Sequence, residues 1–416
     1  MKKRLLILFT NRFPFHQGEE FIENEIPYLS ANFHHVLIIS NSAGATVQKT
    51  LPDNVIAEQC SLQSLGRMKY LHYLFMVFSV SFFRELMRMI FRYKITPTRR
   101  RLGLLMEYLV DGRRYKRAYL HLISRYKKKD QQYLLYNYWM NQSSFGAVKV
   151  KQKINSKIII RAHRYDLYFE HQSANYIPCR KEIFIKADYI CFIAEEGLRY
   201  FIKKHEIQEK EKLVVYPLGV RTNLPDDRRR ALKANIVSCS YINPVKRLSL
   251  LIDALHQMKN KEVRWTHIGG GDHFDRFKEE VFHQLSGSDG VSARLTGNLP
   301  NQDVRRLLRE GGFKVFVNVS SSEGLPVSIM EAMATGIPVV ATRVGGVSEI
   351  VNNSNGRLLS PDPSPEEIAD ALAYFLDMKE EMWEKFSFNA YETWRNHFSD
   401  EQNYGEFVAF LNTIEE

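Results

Sequence analysis

Short apolar runs that alternate with amphipathic stretches constrain this chain most, because that alternation folds as buried parallel strands with crossover helices on both faces. In the first half, Leu5 to Phe9, Val36 to Ser40, Tyr133 to Tyr138, Lys157 to Arg161, Tyr189 to Ala194 and Leu213 to Tyr216 read as strands. In the second, Ala234 to Ser240, Glu262 to Ile268, Val291 to Thr296, Lys314 to Val319 and Val339 to Thr342 read the same way. A chain of 416 residues exceeds what one hydrophobic core holds, so two doubly wound α/β domains are expected. Their boundary falls at Pro217 to Arg230, where Pro217-Leu218-Gly219-Val220 gives way to a polar, charged linker. Ligands of such sheets bind beyond the carboxyl ends of the strands, so the chemistry is sought in the residues that follow each run.

Composition excludes several classes. An apolar share of 44% with 25% charged residues is that of a globular protein. Cys60, Cys179, Cys191 and Cys239 form no CxxC pair, which argues against a disulfide framework or zinc site and fits a reducing cytoplasm. The basic start MKKR precedes only Leu5 to Phe9 before Asn11 and Arg12, too short for a secretory leader.

The net charge of +11 is concentrated. Residues 61–130 hold 17 Lys/Arg and 4 Asp/Glu, a balance of +13, so the rest of the chain sums to −2. This region contains the apolar and aromatic run Tyr70 to Phe83, followed by Arg84, Arg88 and Arg92 at helical spacing. The run is too short to cross a bilayer, which takes roughly 20 residues. As a helix with Phe, Leu and Met on one side and arginine on the other, it suits an anionic membrane surface, and the clusters Arg99 to Arg101, Arg113 to Arg117 and Lys127 to Lys129 add to the attraction. A core helix with a solvated arginine face is the competing reading. No helix-turn-helix, zinc-finger or RNP-like pattern supports nucleic acid as a partner.

The densest chemistry lies in SSSEGLPVSIMEAMATGIPVVATRVGGVSEIV, where Glu323 falls in a Ser/Gly/Pro loop after the run Lys314 to Val319. Pro326 opens a helix from Val327 to Ala334 that Gly336 ends, and Glu331 lies one turn inside it. Helix amides suit a phosphate, and the two carboxylates suit neutral hydroxyls. The stretch, with Gly336-Ile337-Pro338-Val339-Val340-Ala341-Thr342, Gly345-Gly346 and Glu349, resembles the signature of family 4 glycosyltransferases, retaining enzymes of the GT-B fold. The resemblance implies two Rossmann-like domains facing across a cleft, the first over residues 1–217 binding the acceptor. The second, over 218–390, would bind the donor, and a helix within 391–416 would cross back. It assigns donor-sugar contact to Glu323 and the ribose to Glu331, with Gly324, Leu325, Val327 and Ser328 lining the donor. The family has glycine where this chain has Pro326.

Other strand ends carry further matches. Gly18 is the one glycine in the loop after the first run, where the family has a glycine-containing loop near the donor phosphate and the acceptor. His163 follows the fourth run, where the family has a histidine at the reacting sugar; Asp166 either positions it or the acceptor, or caps a helix. Lys246 and Arg247 precede the helix Leu248 to Met258, a place where cations oppose the dipole unless an anion or solvent meets them. Lys246 matches the family's diphosphate-clamping lysine, whereas Tyr241 occupies the place of its arginine, so Arg247 supplies the second charge or the clamp is weaker. Gly269-Gly270-Gly271 lacks the G-x-G-x-x-G spacing of a dinucleotide site and resembles the family's glycine-rich turn. Asn298 and Leu299 stand where the family holds the nucleotide base.

No Asp-x-Asp occurs, so the leaving diphosphate is expected to be stabilised by Lys246, Arg247 and helix dipoles without a metal or other cofactor. The resemblance thus implies a retaining, metal-independent hexosyltransferase moving a hexose from a nucleotide-sugar to a lipid-linked or growing polysaccharide. It would serve bacterial envelope, capsule or exopolysaccharide synthesis, in the cytoplasm at the inner face of the cell membrane. A sugar-nucleotide epimerase of related fold and a catalytically silent scaffold of the same fold are the alternatives.

Overall fold

In the computed structural model, residues 4–44, 46, 49–127, 131–221, 235–258, 261–286 and 290–414 are described. Most of the expected linker, the first residue of the strand expected at Ala234, and Lys128 and Lys129 of the third basic cluster lie outside the described residues. The chain forms two compact units, Met1–Tyr216 with Tyr404–Glu416, and Pro217–Asn403.

The first unit is built on a parallel sheet of seven strands: β1 (Arg4–Thr10), β2 (His35–Ser40), β3 (Val55–Gln59), β4 (Gln132–Asn137), β5 (Lys157–Ala162), β6 (Tyr189–Phe192) and β7 (Leu213–Val215). They lie in the order β3-β2-β1-β4-β5-β6-β7. β1 pairs in parallel with β2 and β4, Ile7 standing against Leu37 and Leu135. Leu5 to Phe9 are all buried, which explains why β1 reads as a continuous apolar run: helices cover both faces, so neither set of alternating side chains meets water. Burying each such side chain contributes about 1.5–3 kcal/mol.

The second unit repeats the plan with β8 (Asn235–Cys239), β9 (Val263–Ile268), β10 (Val291–Leu295), β11 (Val315–Asn318), β12 (Val339–Thr342) and β13 (Gly356–Leu359). These run parallel in the order β10-β9-β8-β11-β12-β13. Each sheet has one place where the order reverses, between β1 and β4 and between β8 and β11. There the connections leave in opposite directions and open a crevice beyond the strand ends.

Two strands were not expected from the sequence, β3 and β13, and both are sheet edges. In β3 only Val55 is buried, so VIAEQ carries no apolar run; β13 has four residues, of which Gly356 and Leu359 are buried. The run Tyr70 to Phe83 is not one helix. It divides into Lys69–Val77 and Val80–Met87, the second capped by Ser79, whose side chain accepts from Phe82 N–H at 3.2 Å, and continues as a π turn over Arg88–Arg92. Apolar side chains point both ways. Met76, Phe82 and Met89 enter the core, while Phe75, Phe78 and Phe91 are 65%, 76% and 73% exposed beside Tyr70, Leu74 and Val80. Neither a purely solvated outer face nor a simple apolar/arginine split describes it, since Arg88 turns to Glu85 at 3.2 Å and Arg92 to Glu206. Among the described residues no helix is long and apolar enough to cross a membrane.

Candidate functional site

In the second unit, the loops that follow β8 and β11 flank the reversal of strand order, and they bring Lys246 and Glu323 together. Asn243 accepts from Val245 N–H at 3.1 Å and starts a single 3-10 turn over Pro244–Lys246, which ends with Arg247 in the left-handed region at φ 48°. That turn aims Lys246 Nζ at Glu323 Oε1, 2.6 Å away. Asn318, the last residue of β11, donates from Nδ2 to the same oxygen at 3.1 Å, while its Oδ1 accepts from Ser320 N–H at 3.0 Å. The loop is also held from behind. Gly346 N–H donates to Gly324 O at 2.8 Å, and Gly345 at φ +52° approaches so closely that a Cβ would lie 1.9 Å from Glu323 O.

Pro326 is extended and directly precedes the helix Val327–Ala334, so the first helical residue is Val327 rather than the proline. The first bond of that helix is made by Ile329 N–H to Pro326 O at 3.1 Å, which leaves the Val327 and Ser328 amides in the first-turn positions that favour an anion. Gly324, Val327 and Ser328 are half-buried and Leu325 is buried. Glu331 is buried one turn in, beside a cavity of about 340 Å³ lined by Gln302, Arg305, Arg309 and Thr335. Burial pushes its carboxyl up to about 7, although Arg305 pulls the other way. Glu323 moves oppositely: burial raises it, but Lys246, Ser320 and Asn318 outweigh burial and hold it below the usual carboxylate range. One carboxylate is thus kept charged next to a cation, and the other is suited to share protons with hydroxyls near neutrality.

Arg247 does not stand beside Lys246 as a second open charge. Its guanidinium hydrogen bonds to Val319 O at 2.7 Å, Ser320 O at 3.2 Å, Pro361 O at 3.0 Å and Asp362 Oδ1 at 2.9 Å, which stitches three loops together. Gly270 and Asn298 do meet, Gly270 N–H donating to Asn298 Oδ1 at 2.9 Å, and Leu299 is half-buried next to them.

In the first unit, the loops after β1 and β4 converge on Glu19, and His163 from the loop after β5 packs against Trp139. The buried carboxylate of Glu19 accepts from the N–H groups of Asn11 at 3.2 Å, Arg12 at 2.8 Å and Phe13 at 2.7 Å, and from Trp139 Nε1. Gly18, φ +109°, donates to Glu20 Oε1 at 2.8 Å at the rim of this loop. His163 is buried with its ring 4.5 Å from Trp139 and 5.2 Å from Tyr138. Burial, and then Arg161 two residues earlier on β5, push the imidazole down to about 3, so it is neutral at any physiological pH. Asp166 accepts from His163 N–H at 2.7 Å and Met140 N–H at 2.6 Å, tying the β4 and β5 loops together, and burial raises its carboxyl to about 7. Arg161 itself forms a fully buried ion pair with Glu25 at 3.0 Å, and the ring of Phe407 lies 4.3 Å from its guanidinium.

Glu19 and Asn318 were missed by sequence reasoning as site residues. A polar residue closing an apolar strand is the signal for Asn318, because such a group must find partners in the following loop. Glu19 carried no signal that separates it from Glu20. Among the described residues, no three His, Cys, Asp or Glu side chains gather as metal ligands would.

HepE of Anabaena, solved in complex with UDP, superposes with a TM-score of 0.68 at 16% identity over 99% of this chain and 100% of its own. Sucrose-phosphate synthase from Thermosynechococcus elongatus gives 0.69 at 14% identity over 98% of each chain. Two Rossmann-like parallel-sheet units of this kind are the fold of GT-B glycosyltransferases. Residues 223–393 match the family described as glycosyl transferases group 1. WcaL of Salmonella typhimurium, named as a colanic acid biosynthesis glycosyltransferase, is 25% identical over 272 residues, 63% of this chain and 65% of WcaL. The amylovoran biosynthesis glycosyltransferase AmsK of Erwinia amylovora is 27% identical over 173 residues, 39% of this chain and 41% of AmsK. The matched stretches thus span less than two thirds of these relatives.

Proposed function

We propose that this chain is a retaining, metal-independent glycosyltransferase that moves a hexose from a nucleotide-sugar donor to a lipid-linked or growing polysaccharide in exopolysaccharide synthesis. The observation that carries it is the Lys246–Glu323–Asn318 cluster at the strand-order reversal of a group 1 glycosyl transferase segment, next to the first turn of Val327–Ala334. Lys246 is the cation available to the leaving diphosphate, since Arg247 is committed to the loop; the Val327 and Ser328 amides add fixed positive charge on the same group. When the diphosphate arrives, Lys246 divides between it and Glu323, and Glu323 is released toward the hydroxyls of the transferred sugar. Glu331 accepts from the ribose, with the neighbouring cavity for the nucleoside, and Asn298 and Leu299 border the base. His163, held neutral, offers a hydrogen bond to the sugar without adding charge. Relatives named for colanic acid and amylovoran synthesis, and a fold relative solved with UDP-glucose, support this class of donor and product.

The exposed Phe75, Phe78 and Phe91 with their basic surroundings support docking on an anionic membrane, where a lipid-linked acceptor resides. The test is to incubate purified protein with a panel of nucleotide-sugars and lipid extract from a polysaccharide-producing bacterium, without divalent metal. A lipid-linked saccharide one hexose heavier, with the donor's anomeric configuration by NMR, is the expected product. An inverted linkage, or transfer that stops when metal is chelated, refutes that part of the reading.

A further inference from the structure

The protein has four tryptophans, and three of them, Trp265, Trp383 and Trp394, are buried in the second unit. Trp139 is different. It follows β4 at the strand-order reversal of the first unit, is only half-buried, and is fixed from several sides by polar groups. Its Nε1 donates to Glu19, whose own orientation is set by three backbone N–H groups. Its carbonyl accepts from Asn137 Nδ2, the next residue's N–H donates to Asp166 Oδ2 at 2.6 Å, and Asn141 Nδ2 reaches Asn11 Oδ1 at 2.9 Å. Behind the indole lie the buried rings of His163 and Tyr138, and beside it the half-buried ring of Phe21, 6.0 Å away and edge-on. A tryptophan serving the core alone would be covered, as the other three are. This one is held in a fixed plane while part of its surface is left to solvent, which is what a ligand platform needs.

We infer that Trp139, flanked by Phe21 and oriented by Glu19, is the stacking platform for one pyranose ring of the acceptor saccharide. The C–H groups on one face of a pyranose carry partial positive charge and meet the electron-rich face of the indole. Glu19 is a positioning residue here, acting through the indole it holds. The inference rests on the glycosyltransferase reading above. Because Trp139 contacts His163, the platform lies next to the imidazole assigned to the reacting sugar, and it would select acceptors by the apolar face they present.

The test combines fluorescence with kinetics. Wild-type protein and the variants Trp139→Phe and Trp139→Ala are titrated with lactose, methyl β-glucoside and methyl α-mannoside while intrinsic tryptophan emission is followed. At least one saccharide should shift or quench the wild-type emission, and that change should vanish in Trp139→Phe, whose three remaining tryptophans are buried. In transfer assays, Trp139→Ala should raise the acceptor KM about tenfold, Trp139→Phe less, and the donor KM should not follow. Urea unfolding of both variants checks that they are folded. Several results overturn the proposal: no saccharide changes the emission, the change persists in Trp139→Phe, farnesyl phosphate alone reproduces it, or the donor KM rises in place of the acceptor KM. If no nucleotide-sugar is turned over at all, the enzymatic reading fails, while the fluorescence arm still reports whether Trp139 binds saccharide.

Discussion

Replacing Lys246 with methionine removes the ammonium 2.6 Å from Glu323 Oε1 while keeping much of the stem. Ion pairs at the surface contribute about 0–1 kcal/mol, whereas breaking a buried pair costs about 3–5 kcal/mol. Here the side chains are 22% and 9% exposed, and Asn318 still reaches the orphaned carboxylate at 3.1 Å. An intermediate loss of roughly 2 kcal/mol at neutral pH follows. Glu323→Gln removes the charge that needs the ammonium, so the double variant should recover part of the loss, with a coupling of about 1 kcal/mol. The pH dependence adds an independent check. Glu323 is held below its ordinary 4.5 despite burial, so its contribution is present above that value and lost as pH falls through the lower folded value. Without Lys246 the strongest influences that lower the carboxyl are gone, so the loss of stability on acidification should be smaller than in the wild-type protein. Urea unfolding of the four proteins between about pH 4 and pH 8 measures both effects. If Lys246→Met unfolds at the wild-type midpoint across that range and the coupling is zero, the pair does not form and the site geometry is wrong.

Three further outcomes are expected. Arg161→Met should cost roughly 3–5 kcal/mol by urea unfolding because it strands a fully buried Glu25, and adding Glu25→Gln should restore much of it; equal damage in the single and double variants would contradict this. Glu331 is raised from 4.5 to about 7, so its contribution to stability is full below about 4.5 and is lost as pH rises through about 7, an effect of roughly 3 kcal/mol that Glu331→Gln should flatten. Sedimentation with vesicles should show the wild-type protein bound to anionic but not neutral lipid. Phe75→Asp with Phe78→Asp should abolish the binding, and unchanged binding would remove the membrane from the account.

Much of this molecule was legible because burial writes itself into sequence. The interior strands β1, β2, β4 and β5, and in the second sheet β8, β9, β11 and β12, are covered on both faces and read as apolar runs. Their boundaries came within a residue or two. The edge strands β3 and β13 bury too few side chains to leave a pattern. The loop with Glu323 was singled out by the resemblance of its whole stretch to a family signature, since two glutamates at that spacing alone read as ordinary surface charge. What Lys246 and Arg247 do was not legible, since adjacent cations look alike in sequence while the left-handed turn at Arg247 sends them to different partners. Nor could spacing reveal that Glu19, Trp139 and His163 meet. They are brought together by the strand order β1-β4-β5, which no local pattern encodes.

The most direct test of the central claim is the initial rate of nucleoside diphosphate release from a nucleotide-sugar panel by purified wild-type protein and Glu323→Gln. At least one donor should be turned over, and the variant should be slower by about 10²–10³-fold, the loss typical of removing one preorganised polar group at a reacting centre. Turnover of no donor, or equal rates in the two proteins, would contradict it.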